Sequence, residues 1–183
     1  GPMIAGVAAV IQRKRLKKIG FFGNQRDEKG VFLMERLIAQ LLDDDFTIVL
    51  HDSSGGSSGS GDDRFRMIFG YVDDLAQEIA DCDAVVTPYD PNSYRLKGSA
   101  IIWTALANGV PVIAPRDTAP GAWIERAGSG VTFGEFTAQS VFTSVVEARN
   151  NYPAIEQRAR IASARWVEEH GNQKFVEAML KAL

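Results

Sequence analysis

Short apolar runs alternate with segments of helical period along most of the chain. Residues 17–23 (KKIGFFG), 46–52 (FTIVLHD), 64–72 (RFRMIFGYV), 83–89 (DAVVTPY), 110–115 (VPVIAP) and 129–134 (SGVTFG) are short runs bounded by polar or turn-forming residues, and they read as strands. Between them, residues 31–42 place apolar side chains at 33, 34, 37, 38, 41 and 42, which is the spacing of one helix face. Residues 73–81, 99–108, 121–128, 137–151, 153–170 and 172–183 read as further helices, the first with acidic residues at its start, where the helix dipole favours them.

Alternating strands and helices of this kind predict βαβ units, a parallel sheet and right-handed crossovers that put helices on both faces. The expected fold class is α/β, a doubly wound Rossmann-like sheet of about six strands. Ligands of such sheets bind outside the carboxyl ends of the strands, where the strand order reverses. In the Rossmann order strands 1 and 4 flank that point. Their exits carry GNQRDEKG and PYDPNSYRLKGS.

Some segments fall outside this pattern. Gly1-Pro2 reads as the scar of a protease cleavage and is set aside. Residues 3–16 place an apolar stretch before a basic cluster. They read first as a helix or linker packing on the domain, with contact to a membrane surface as the alternative. Residues 53–61 are all Ser or Gly, a flexible coil that reads as an engineered replacement of a longer loop, in a domain taken from a larger protein. The folded domain is expected over residues 17–183.

Composition narrows the class. With 183 residues, 45% hydrophobic and 23% charged, the chain is an ordinary globular one with a single sizeable core. The net charge of −3 gives no sign of a nucleic-acid partner. No apolar run reaches the roughly 20 residues of a membrane span. Cys82 is the only cysteine, so no internal disulfide can form. A reducing, cytoplasmic location is expected, at the inner face of a membrane if the N-terminal segment engages one. One Cys and two His match no zinc spacing, and no metal or other cofactor is expected.

The candidate chemistry lies at the two exits. In GNQRDEKG, Gly23 ends a strand and Gly30 opens a helix, with Arg26 and Lys29 between them. Such a turn can present backbone N–H groups, a guanidinium fork and an ammonium to one anion. It can equally be a surface turn whose cations pair with Asp27 and Glu28. In the second exit, Ser99 suits a helix N-cap and Gly98 permits close approach of the backbone, so the amides from Gly98 to Ala100 aim into the crevice. Thr104 follows one turn after Ala100. Tyr71, Tyr89, Asp90 and Tyr94 are candidate rim contacts, with plain rim packing as the alternative for the tyrosines. Asp117 and Glu125 are weaker candidates for a sugar contact. Together the turns describe a phosphate or diphosphate site. No Ser/His/Asp arrangement is visible, and His51 and His170 read as structural.

These residues carry a resemblance. IGFFGNQRDEKG, ADCDAVVTPYDPNSYRLKGSAIIWTALANGVPVIAP and AGSGVTF resemble the C-terminal, donor-binding domain of a GT-B-fold retaining glycosyltransferase of the group 1 type, over residues 17–175 apart from the Ser/Gly run. The resemblance implies one half of a GT-B fold and a nucleotide-diphosphate sugar as donor. It implies that Lys29 binds the diphosphate and that the amides of Gly98, Ser99 and Ala100 meet the phosphates. The family's Arg usually follows the first Gly, where this chain has Asn24, and Arg26 would take its part. The family's two Glu fall on Leu96 and Thr104, so Thr104 would meet the ribose with a hydroxyl in place of a carboxylate. The partner implied is an N-terminal acceptor domain outside this chain, without which the fragment would be inactive. Two other functions compete: a degenerate nucleotide-binding or interaction module of the same fold, and a nucleotide-sugar epimerase, which the EKG turn and the absence of acid–base candidates disfavour.

Overall fold

The computed structural model describes residues 15–54 and 61–170. Six strands form one parallel sheet: β1 (Lys18–Phe21), β2 (Thr47–Asp52), β3 (Phe65–Phe69), β4 (Ala84–Val86), β5 (Val112–Pro115) and β6 (Gly130–Phe133). Their order is β3-β2-β1-β4-β5-β6. The Rossmann-like sheet is thus the observed fold, with β1 and β4 adjacent at the point where the order reverses.

Side-chain alternation builds a core on each face. On one face Ile19, Phe21, Ile48, Leu50, Val86, Ile113 and Phe133 pack with Leu37 and Leu41 of α1 (Val31–Asp43) and Val141 and Val145 of α6 (Ala138–Asn150). On the other, Val49, Val85, Val112 and Ala114 meet Ile79 of α2 (Leu75–Ala80), Ile102, Ala105 and Leu106 of α4 (Ala100–Ala107), and Ile124 of α5 (Ala119–Ala127). Burying each such side chain is worth about 1.5–3 kcal/mol. α7 (Tyr152–His170) closes the domain. Its Trp166 stacks on Trp103 of α4 with ring centres 5.3 Å apart and planes 7° apart, and Trp123 of α5 meets both rings edge to face. At the opposite end of the strands, the Asp83 carboxylate accepts the backbone N–H groups of Lys17 and Lys18 at 2.9 and 2.6 Å, and the Tyr152 hydroxyl donates to the Asp83 carbonyl at 2.7 Å.

The boundaries differ from the sequence reading in physically simple ways. β3 stops at Phe69 because Gly70 takes a positive φ of 71°. The exit of β4 contains an unexpected short helix, α3 (Pro91–Tyr94): Asp90 caps it through the amides of Asn92 and Ser93, and Pro91 occupies its first position. α7 begins one residue early, at Tyr152. The helix or linker at 3–16 falls almost wholly outside the described residues, as do most of the Ser/Gly run and the helix at 172–183.

Candidate functional site

The two exits meet. Gly30, with φ 75°, lies so close to β4 that a Cβ there would stand 2.2 Å from the Pro88 carbonyl oxygen. The Asp90 amide donates to the Glu28 carbonyl at 2.9 Å. The turn after β1 is therefore pinned against the exit of β4, and only glycine fits where they touch.

Lys29 stands at the centre of this junction. A Cβ on Gly23, whose φ is 105°, would lie 2.9 Å from Lys29 Nζ, so the bare Gly23 backbone makes room for the ammonium. The same Nζ lies over the Tyr89 ring, 5.5 Å from its centre. Half-buried and beside the Arg26 guanidinium, the Lys29 ammonium is pushed below the usual lysine range, chiefly by desolvation and then by repulsion from Arg26, with Glu28 opposing. Two neighbouring cations held like this favour an anion between them.

α4 supplies the other wall. Ser99 Oγ accepts the Ile102 amide at 3.4 Å and the Ser99 carbonyl accepts the Trp103 amide at 3.0 Å, which fixes the first turn. The amides of Ala100 and Ile101, the first two of the helix, have no carbonyl behind them to donate to. Ile101 packs near Gly23, where a Cβ would lie 3.8 Å from its Cγ1, so this helix start adjoins the Lys29 turn. Tyr89 links the walls, since its hydroxyl lies 3.3 Å from Ser99 Oγ while its ring underlies Lys29. Burial pushes the Tyr89 phenol up to about 12. Tyr94 stacks on Tyr89 at 4.3 Å between centres, and burial raises its phenol too.

The remaining candidates have distinct placements. Gly98, Arg26 and Ala100 are exposed, and Asn24 is half-buried at the turn. Thr104 is half-buried one helical turn below Ala100. Tyr89 and Tyr94 are buried, whereas Tyr71 is 88% exposed beyond β3. The Asp90 carboxylate is engaged in the α3 cap and by the Ser93 hydroxyl at 2.6 Å, which holds it below the usual carboxylate range. Glu125 accepts the Thr132 hydroxyl at 2.6 Å and pairs with Arg116, while Asp117 is exposed.

His51, read from the sequence as structural, holds a partner the sequence did not reveal: it accepts the Gly23 amide at 3.2 Å through Nδ1. That amide is therefore engaged within the chain, as are those of Gly30 and Val31, which donate to the carbonyls of Asp27 and Arg26. The turn after β1 thus presents its cations more than its backbone. Among the described residues, the first amides of α4 are the helix-start donors that lack an intrahelical carbonyl at this junction. The only signal in the sequence was that His51 ends a strand predicted to neighbour β1.

No family model matches the chain, and no curated protein matches it. Solved structures do. WaaG, a glycosyltransferase involved in lipopolysaccharide biosynthesis, shares the fold with a TM-score of 0.64 at 14% identity, over 87% of this chain and 44% of that one. The spinosyn forosaminyltransferase SpnP matches with a TM-score of 0.68 at 14% identity, over 93% and 44%. HepE from Anabaena, solved in complex with UDP-glucose, matches with a TM-score of 0.66 at 19% identity, over 92% and 49%. The fold is accordingly that of one half of a GT-B glycosyltransferase. The chain spans less than half the length of these three neighbours.

Proposed function

We propose that this chain is the C-terminal, donor-binding domain of a retaining glycosyltransferase that transfers a sugar from a nucleotide-diphosphate sugar to an acceptor held by a separate N-terminal domain. The observation that carries this reading is the position of Lys29 at the switch point, its ammonium lodged against Gly23 and linked through Tyr89 to the N-cap of α4. Lys29 and Arg26 would meet the diphosphate from one side and the Ala100 and Ile101 amides from the other. Their share of catalysis would be electrostatic: as the bond to the sugar breaks, negative charge grows on the leaving diphosphate, where Lys29, Arg26 and the helix-start amides would stabilise it. Thr104, one turn further down α4, would bond the ribose. The structure of HepE with UDP-glucose supports a nucleotide-sugar ligand for this fold.

Titration calorimetry of the chain with UDP, ADP and GDP tests the proposal. Binding of one of them is expected, and the absence of binding by all three would sink it.

A second reading has its own observation. Leu96, where the resemblance places a Glu, is 88% exposed at the rim and offers no carboxylate. That favours a nucleotide-binding module without turnover. A full-length parent that binds the nucleotide sugar but neither transfers nor hydrolyses it would decide for this reading.

A further inference from the structure

The polar side chains behind the Lys29 turn are as specific as those in front of it. His51 and Asp52, the last residues of β2, hold the turn Gly23–Gln25 by several bonds. The Gly23 amide donates to His51 Nδ1 at 3.2 Å, and the Gln25 amide donates to Asp52 Oδ1 at 3.3 Å. The Gln25 side-chain amide donates to the His51 carbonyl at 2.9 Å and to the Gly23 carbonyl at 3.3 Å. On its other side, His51 Nε2 lies 2.8 Å from the Gly70 carbonyl oxygen.

These partners fix the state of the imidazole. A carbonyl only accepts, so Nε2 must carry a proton; a backbone amide only donates, so Nδ1 must be a bare lone pair. The buried ring bridges the exits of β1 and β3 only while neutral. A second proton, on Nδ1, would face the Gly23 N–H, donor against donor, and one of them would have to leave.

We propose that His51 is a positioning residue for the Gly23–Lys29 turn, and that its protonation releases the turn and weakens nucleotide-diphosphate binding. This rests on the reading of the turn as part of a diphosphate site. Gly23 is the floor on which the Lys29 ammonium sits, so moving Gly23 moves the cation.

Charged side chains also lie on the elements that meet at His51. Arg26 and Lys29 lie on the turn itself. The Asp52 carboxylate follows on β2, where it also accepts the Ser54 amide and hydroxyl. Arg66, two positions before the β3 partner of His51, is paired with Glu78 of α2.

The experiment uses the chain labelled with nitrogen-15. The His51 ring nitrogens and the Gly23 amide are followed between about pH 8 and about pH 5, without nucleotide. UDP affinity is then measured over the same range for the parent and for His51→Asn, whose Oδ1 keeps an acceptor for Gly23 but takes no proton. The Gly23 resonance and its exchange protection are expected to change in step with the ring. The parent is expected to lose about tenfold in UDP affinity relative to the profile of His51→Asn, as loss of a bond to the site implies. A Gly23 amide unchanged while the ring titrates, a ring that stays neutral until the protein unfolds, or identical UDP profiles for parent and variant would overturn the proposal. If neither protein binds UDP, the diphosphate reading falls, and the ligand-free Gly23 measurement still decides whether His51 latches the turn.

Discussion

Lys29 Nζ lies 5.5 Å from the centre of the Tyr89 ring, a cation on an aromatic face supplied by the neighbouring strand exit. The pair joins the turn after β1 to the segment after β4, and the Tyr89 hydroxyl carries the connection on to Ser99. An ammonium placed there is partly stripped of water and lies over an aromatic face, with Arg26 repelling it and Glu28 attracting it.

Removal of that ammonium should be felt in binding and hardly in folding. Lys29→Met, which keeps most of the aliphatic stem, is expected to weaken UDP binding by about tenfold to a hundredfold, the usual worth of a hydrogen bond to a charged group. Calorimetry on the variant and the parent checks it, with urea unfolding to confirm that stability is retained.

The two partners of this pair predict opposite alkaline behaviour. The Lys29 ammonium is held below the usual lysine value of 10.5, so the unfolded chain binds the extra proton more tightly, and this residue makes the folded state gain stability as pH rises toward that value. Tyr89 is raised from 10.0 to about 12, so its contribution is fully present below pH 10.0 and is lost as pH rises through about 12. Urea unfolding across the alkaline range should show the first slope vanish in Lys29→Met and the second in Tyr89→Phe.

Gly30→Ala should be the most damaging single methyl in the site. It forces a non-glycine residue to φ 75° and brings a Cβ to 2.2 Å from the Pro88 carbonyl oxygen. A loss of about 3 kcal/mol or more is expected, since strain and overpacking add. Gly61→Ala, where a Cβ meets nothing within 4 Å, should change the unfolding midpoint little.

Asp83→Ala tests the other end of the sheet. It strips the acceptor from the backbone amides of Lys17 and Lys18 and should cost about 2 kcal/mol, as an unsatisfied, partly buried donor does. Chemical denaturation measures it. UDP binding to the folded variant should be unchanged, because the site lies at the opposite strand ends.

Much of this molecule is legible from the chain because its strands are apolar runs punctuated by turn residues, and parallel order follows from the helices between them. The two exits at the switch point follow from the order. What stayed hidden is contact between residues distant in sequence. His51 looks like any polar strand end until β2 is laid beside β1, when its Nδ1 meets an amide 28 residues away. Tyr89 and Tyr94 read as rim residues because nothing local reveals that Asp90 and Pro91 start a helical turn that folds Tyr94 back over Tyr89. Asp90 itself looked available for a ligand, yet its carboxylate is occupied by the cap it forms.

The touching of Gly30 and Pro88 also says when during folding such a site can exist. Its two walls come from segments nearly sixty residues apart, separated by β2, β3 and α2. Neither the first eighty residues nor the last hundred contain both. The crevice therefore exists only once β4 has docked beside β1, a pairing of segments far apart in sequence. A nucleotide that recognises it would select the finished sheet over every partly folded form, and so act as a thermodynamic clasp on the whole domain.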